Sequence, residues 1–191
     1  MYKLCRTDLS ARRQQRLEQG LLEAMKSRQY EDISVSDLCR QLEIPRKCFY
    51  RYFDSKDGAL HALIDHTLME YVEWGSGLNP ENMSEKLEQF FRFWKENRVL
   101  LDALEDSGLT KVLVKRAIGI ACRDSMFPQM RNPHTENTEP AYLVSFWVSG
   151  FIALVMSWRS GGFTESPAQR ARIAAGIIGE SSSLSDVPRI K

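Results

Sequence analysis

Ser34-Val35-Ser36-Asp37-Leu38-Cys39-Arg40-Gln41-Leu42, then Glu43-Ile44-Pro45, then Arg46-Lys47-Cys48-Phe49-Tyr50-Arg51-Tyr52-Phe53, reads as two short helices on either side of a tight turn. The Ser34 hydroxyl is placed to accept an N–H of the first helical turn, and Asp37 sets its charge near the positive end of that helix. Val35, Leu38, Cys39 and Leu42 fall on one apolar face. Pro45 stops the pattern, because proline disfavours a helical Ile44 but suits a new helix start. On a wheel of about 100° per residue, Arg46, Lys47, Tyr50 and Arg51 share one half of the second helix, and Cys48, Phe49, Tyr52 and Phe53 share the other. Phe49 and Phe53 are the expected core anchor. Three cations and a phenol on the opposite side suit a helix that enters the major groove of DNA.

Outward from this unit, apolar residues recur at helical spacing, and no alternating β-branched run with hairpin turns is present. An all-α fold follows. The first helix is expected from about Leu9 to Arg28, where Leu17, Leu21, Ala24 and Met25 form one stripe. After Asp54-Ser55, a long helix lines up Leu60, Leu63, Ile64, Thr67, Leu68, Tyr71 and Val72 until Gly75-Ser76-Gly77-Leu78-Asn79-Pro80 interrupts it. Further helices are expected over 84–96, 98–105, 109–126, 139–159 and 167–179. Residues 1–56 would form a small DNA-binding unit and 57–180 a larger C-terminal one. Residues 128–140 read as a mobile loop and the Ser-rich 181–191 as a disordered tail.

Composition narrows the function classes. The chain has 26 Lys+Arg against 25 Asp+Glu, a net charge of +1, so bulk electrostatics does not announce a nucleic-acid partner. The first 60 residues, with 12 basic against 9 acidic side chains, are mildly basic. Cys5, Cys39, Cys48 and Cys122 form no C-x-x-C pair and no signal-like segment opens the chain, which suggests a reduced, cytoplasmic protein. Pro140 to Trp158 carries no charge and has the length of a membrane span. Ser145, Ser149, Gly150 and Ser157 dilute it and no Lys/Arg cluster flanks it, so a helix buried on all sides is expected, with no membrane partner. His61, His66 and His134 lie at no metal-ligand spacing, and neither G-x-S-x-G nor a P-loop occurs. Neither catalysis, nor a metal, nor a cofactor is expected.

Arg46, Lys47 and Arg51 are the candidates for reading base edges, since Arg and Lys donate to guanine O6 and N7. Phosphate contacts are expected from Tyr50, from Lys56 at the next helix start, and from Ser34 or Ser36 beside the N–H groups of the first short helix. The alternative, an ordinary solvated cationic face, would be the better reading of three cations without the flanking architecture. Cys48, close to cations at 47 and 51, is a candidate oxidation switch, with simple packing the favoured reading.

The run from Ile33 to Cys39, with Phe49-Tyr50-Arg51-Tyr52-Phe53-Asp54-Ser55-Lys56, resembles the DNA-binding domain of the TetR family of transcriptional regulators over roughly residues 10–64. Phe49-Tyr50, Phe53 and Ser55-Lys56 carry the resemblance. The chain departs from the family pattern at Glu43, where a glycine is common, and at Pro45 and Cys48, where serine or threonine is. The resemblance implies a nine-helix plan and a ligand-responsive repressor that binds a pseudo-palindromic double-stranded operator as a homodimer through its last two long helices. Trp147, Phe151, Leu154 and Trp158, with Ile173 and Ile177, would face the partner subunit. It also implies an effector pocket for a small apolar ligand, for which Tyr71, Phe90, Trp94, Met126 and Phe146 are candidates. Phe146 to Pro167, with Trp158, Gly161-Gly162-Phe163 and Ser166-Pro167, is similar to a TetR branch related to dihydroxyacetone kinase regulators. That branch implies an alternative, a co-regulator whose partner is a protein and not a small effector.

Overall fold

In a computed structural model, residues 1–3, 5, 7–76, 83–123 and 140–182 are described. Among them are nine α-helices: α1 (Asp8–Met25), α2 (Val35–Gln41), α3 (Arg46–Tyr52), α4 (Lys56–Ser76), α5 (Met83–Glu96), α6 (Arg98–Asp106), α7 (Thr110–Arg123), α8 (Pro140–Ser160) and α9 (Pro167–Ser182). The all-α expectation holds, and helix boundaries fall within a few residues of those read from the periodicity. α9 continues to Ser182, so two residues assigned to the tail are helical. The segments 124–139 and 183–191, with Met126 and the expected loop, lie outside the described residues.

Local chemistry explains where the helices start and stop. Ser34 caps α2 as a reciprocal box: its Oγ accepts the Asp37 N–H (3.1 Å), and the Asp37 carboxylate accepts the Ser34 N–H (3.3 Å). These bonds, the side-chain hydrogen bond with Ser34 first, hold the Asp37 carboxyl below its usual range. Three helices end in the same way. At the ends of α2, α6 and α8, two nested hydrogen bonds return to the last turn: Glu43 N–H to Arg40 O and Ile44 N–H to Cys39 O, Gly108 to Glu105 and Leu109 to Leu104, Gly162 to Arg159 and Phe163 to Trp158. The hinge residue of this motif takes a left-handed conformation that suits glycine. Gly108 (φ 65°) and Gly162 (φ 73°) fill it in two cases, but α2 uses Glu43 at φ 55°. Glu43→Gly is therefore expected to stabilise the chain by about 0.5–1 kcal/mol, by relief of that strain net of added chain entropy. A shift in the urea midpoint at constant slope measures it.

The core runs through the molecule without a break. Leu17 and Leu21 of α1 meet Leu38 of α2, Phe49 and Phe53 around α3, and Leu60 and Ile64 of α4, all at most 4% exposed. Beyond them Phe91, Leu101, Leu104, Leu113 and Trp158 continue it. α4 contacts both α1 and α7, α5 lies along α9, and α7 along α8.

α8 departs from expectation. It is long and apolar enough to cross a membrane, by length and composition. It is not buried on all sides: Val148, Phe151, Ile152, Val155 and Trp158 enter the core, while Tyr142 (69%) and Phe146 (70%) stand in solvent. Gly150, Ala153 and Ser157 continue the exposed stripe. From Pro140 to Trp158 no charge lies on any face, which leaves no sequence signal for which side is inside. Arg159 fixes its end to α6 through Asp102 and Asp106, each at 2.7 Å.

Candidate nucleic-acid interface

α3 is an exposed helix on a rigid apolar seat. Phe49 and Phe53 are fully buried, with ring centroids 5.2 Å apart, and Tyr52 is buried beside them. Arg46, Lys47, Tyr50 and Arg51 are all exposed. The structure thus brings the three candidate base-reading cations to one surface. Arg46 donates to the Tyr50 hydroxyl at 3.1 Å and lies 5.7 Å from its ring centroid. That hydrogen bond raises the already high Arg46 pKa, so the guanidinium is held in one pose at no loss of charge. Lys47 and Arg51 pair with no side chain among the described residues and are left for an external acceptor.

The phosphate candidates divide. Tyr50 keeps its O–H free to donate while its oxygen accepts from Arg46. Ser36 is half-buried near the start of α2. Ser34 is exposed, but its hydroxyl is engaged with Asp37, whose carboxylate also meets Arg40 at 3.3 Å. Lys56 is a correction. Its ammonium turns inward, donating to the Tyr30 and Glu31 carbonyls and resting 4.1 Å from the Tyr30 ring centroid. Tyr30 in turn donates to Asp57 at 2.6 Å. Lys56 fastens the start of α4 to the turn before α2. Its ammonium is thus held by acceptors within the protein.

The sequence reading missed the residues that hold α3 in place. The N-terminal segment crosses the end of α3 at an isolated antiparallel bridge: Lys3 N–H donates to Tyr52 O (3.0 Å) and Asp54 N–H to Met1 O (3.1 Å). A Cβ on Gly58 would stand 2.5 Å from Met1 O, so only glycine allows this crossing. Tyr2 then donates to buried Asp65 on α4 (2.8 Å), which also accepts Nε of Arg116 on α7 (2.6 Å) and that residue's second nitrogen. Burial first, then the Asp65 hydrogen bond, pushes the Tyr2 phenol up to about 12. The one advance signal was an aspartate inside the apolar stripe of α4.

His66 on α4 is joined to Glu18 on α1 at 2.9 Å. That hydrogen bond raises the His66 pKa against the opposing effect of burial, with Asp65 and Glu70 adding to the rise and the Tyr2 ring edge packed alongside. A raised folded-state pKa contributes stability that is fully present below the unfolded value and lost as pH rises through the folded one. Stability is therefore expected to fall as pH rises above the ordinary histidine value of about 6.5. Urea unfolding of His66→Gln should lack that component of the pH dependence.

Of the effector-pocket candidates, Tyr71, Phe90 and Trp94 form packed core. Tyr71 and Phe90 meet at 5.8 Å, Phe90 and Trp94 at 6.5 Å, and Phe90 and Phe151 at 5.4 Å. Trp94 is 2% exposed. Phe146 points to solvent and leaves this group. At the expected dimer face, Trp158 is fully buried against Phe91 and Phe163, and Phe151 is buried too, so neither is available to a partner. Trp147 and Leu154 are half-buried, whereas Ile173 and Ile177 are about half exposed. Cys48 is half-buried on the anchor side of α3. Among the described residues no group of side chains is arranged to hold a metal ion.

No family profile and no curated protein matches this sequence. Solved structures do. A TetR-family transcriptional regulator from Syntrophomonas wolfei superposes at a TM-score of 0.67 with 13% identity, over 94% of this chain and 99% of that one. The chain has the TetR-regulator fold. Lin0861 from Listeria innocua gives a TM-score of 0.70 at 16% identity, covering 96% of each chain. The dihydroxyacetone kinase operon activator DhaS gives 0.58 at 15% identity, covering 90% of this chain and 97% of that one. In the TetR fold, α3 occupies the place of the second helix of a helix-turn-helix, with α4 as the connection to the body.

Proposed function

We propose that this protein is a sequence-specific DNA-binding transcriptional regulator that acts in the cytoplasm as a homodimer on a pseudo-palindromic operator. The cationic, exposed face of α3 on a buried aromatic seat carries the reading. Arg46, Lys47 and Arg51 read base edges, and Tyr50, with the α2 N-terminus around Ser36, contacts phosphate. The second copy sits on the uncharged stripe of α8, Tyr142, Phe146, Gly150, Ala153 and Ser157, and on Ile173 and Ile177 of α9. Small residues in the turns that follow the two aromatics allow close approach of a symmetry-related helix, and large exposed apolar side chains favour covering. Two heads then meet successive major grooves about 34 Å apart. Binding represses transcription, and a small molecule that prefers one head spacing relieves it. Such a regulator needs neither a catalytic step nor a cofactor.

Selection of bound sequences from a random duplex library, with full-length protein at fixed salt, tests this. An inverted repeat is the expected outcome. No enrichment by a folded dimer would reject it in favour of a protein-partnered co-regulator, which the close-packed Tyr71–Phe90–Trp94 cluster and the likeness to DhaS support.

A further inference from the structure

Met1-Tyr2-Lys3 lies against the end of α3 in extended form, with Tyr2 bridged antiparallel to Phe53. An extended backbone sends successive side chains to opposite sides. Tyr2 faces α4, where its hydroxyl meets Asp65 at 2.8 Å and its ring stands edge-on to His66 at 5.7 Å between centroids. Lys3 is therefore directed away from α4, and it is exposed. The main chain fixes where it stands. Its own N–H is bonded to the carbonyl of Tyr52, the last residue of α3, at 3.0 Å, and Arg51 is the residue before that acceptor. Asp54 and Gly58 close the other side of the crossing. Lys3 forms no ion pair among the described residues. Asp54, the carboxylate on the same crossing, lies 3.7 Å from the Met1 amino group, so it does not stand bare beside that lysine.

We propose that Lys3 binds a phosphate of the DNA backbone beside the groove that α3 enters. This contact rests on the DNA-binding reading above and extends its surface from α3 to the N-terminal segment. A helix with its side chains is about 10–12 Å across, and the major groove is about 12 Å wide, so α3 fills it. A segment that crosses the end of such a helix meets the phosphate wall and not the base edges. Chemistry agrees with the place. An ammonium on a flexible stem suits one phosphate oxygen as a point charge, whereas bidentate readout of a base favours a guanidinium. A backbone held by hydrogen bonds at residues 1 and 3, and by the phenol between them, presents that charge with less freedom to lose than an unanchored terminus would. The tie to Asp65 thereby gains a second use: besides bracing α3, it sets a cation at the edge of the groove.

The test is the salt dependence of duplex binding by the full-length protein, read as Kd by fluorescence anisotropy between about 50 and 200 mM salt. The selected operator and a scrambled duplex of equal length are compared. Lys3→Gln is expected to lower the slope of log Kd against log salt by about two per dimer, one for each chain, on both duplexes. The parent should accordingly lose about tenfold more affinity than the variant across that range. Lys3→Gln should melt like the parent, because its main-chain bonds remain. Lys3→Arg should keep the parent slope. So should Arg92→Gln, which removes the same charge from the exposed face of α5. An unchanged slope in Lys3→Gln, an equal fall in Arg92→Gln, or a loss confined to particular base pairs would overturn the phosphate contact. A Lys3→Gln protein with the parent slope that still selects an inverted repeat would remove this contact and leave the DNA-binding reading in place. A parent that selects no operator would sink that reading, and the slopes on the scrambled duplex would still decide the contact.

Discussion

Asp65→Ala is expected to destabilise the protein by about 3 kcal/mol, because breaking one side of a buried ion pair leaves the other uncompensated. Asp65 is 2% exposed and accepts hydrogen bonds from Tyr2 and from two nitrogens of Arg116. Arg116 keeps a side-chain exposure of 30%, so water recovers part of the loss and the estimate sits at the low end of the range for buried pairs. For a chain of this length that is a drop of about 6–12 °C in melting temperature. Asp65→Leu with Arg116→Met should recover much of it, since replacing both partners removes the unpaired charge. A loss below about 1 kcal/mol would assign the junction to apolar packing alone. Asp65→Ala should also loosen DNA binding, through release of the N-terminal segment that braces α3.

The second large effect concerns the operator. Arg51→Ala is expected to cost about 1–3 kcal/mol in binding and to relax specificity at one base pair of each half-site. That corresponds to a Kd higher by about 5- to 150-fold. Arg46→Ala should behave likewise but for a different structural reason. Its guanidinium is already posed by Tyr50, so little side-chain entropy is lost on docking, and Tyr50→Phe should weaken readout by Arg46 while leaving the cation in place. Competition binding against single-base operator variants measures both. Equal losses on every sequence would demote the arginines to phosphate contacts, and a salt slope lower by about one would agree with that role.

Most helices were legible because their signals are local: a cap at Ser34, a stop at Pro45, and stripes of apolar residues at the helical period. The cationic face of α3 was legible for the same reason, since a two-turn helix with two phenylalanines on one side can sit only one way. What failed needed knowledge of distant neighbours. Lys56 stands where a phosphate ligand is expected, but a carbonyl 26 residues earlier captures its ammonium. Trp158 and Phe146 are both large aromatics on the uncharged stretch of α8; one meets α5 and the turn after α8, the other meets solvent. Asp65 binds partners 63 and 51 residues away, and nothing in its local pattern except its incongruity marks it.

The twin clasps on α4, Asp65 with Tyr2 and Arg116, and His66 with Glu18, have a consequence for cooperativity. Adjacent residues of one helix are tied to the N-terminal segment, to α1 and to α7. Those ties cross the division expected near residue 56, and argue against two separate folding units. Melting the head would leave a buried carboxylate without its phenol and a histidine without its carboxylate, on a helix whose other side is still packed. A single unfolding transition in calorimetry is accordingly expected, and a fragment cut at the start of α4 should lose the framework that gives α3 its shape.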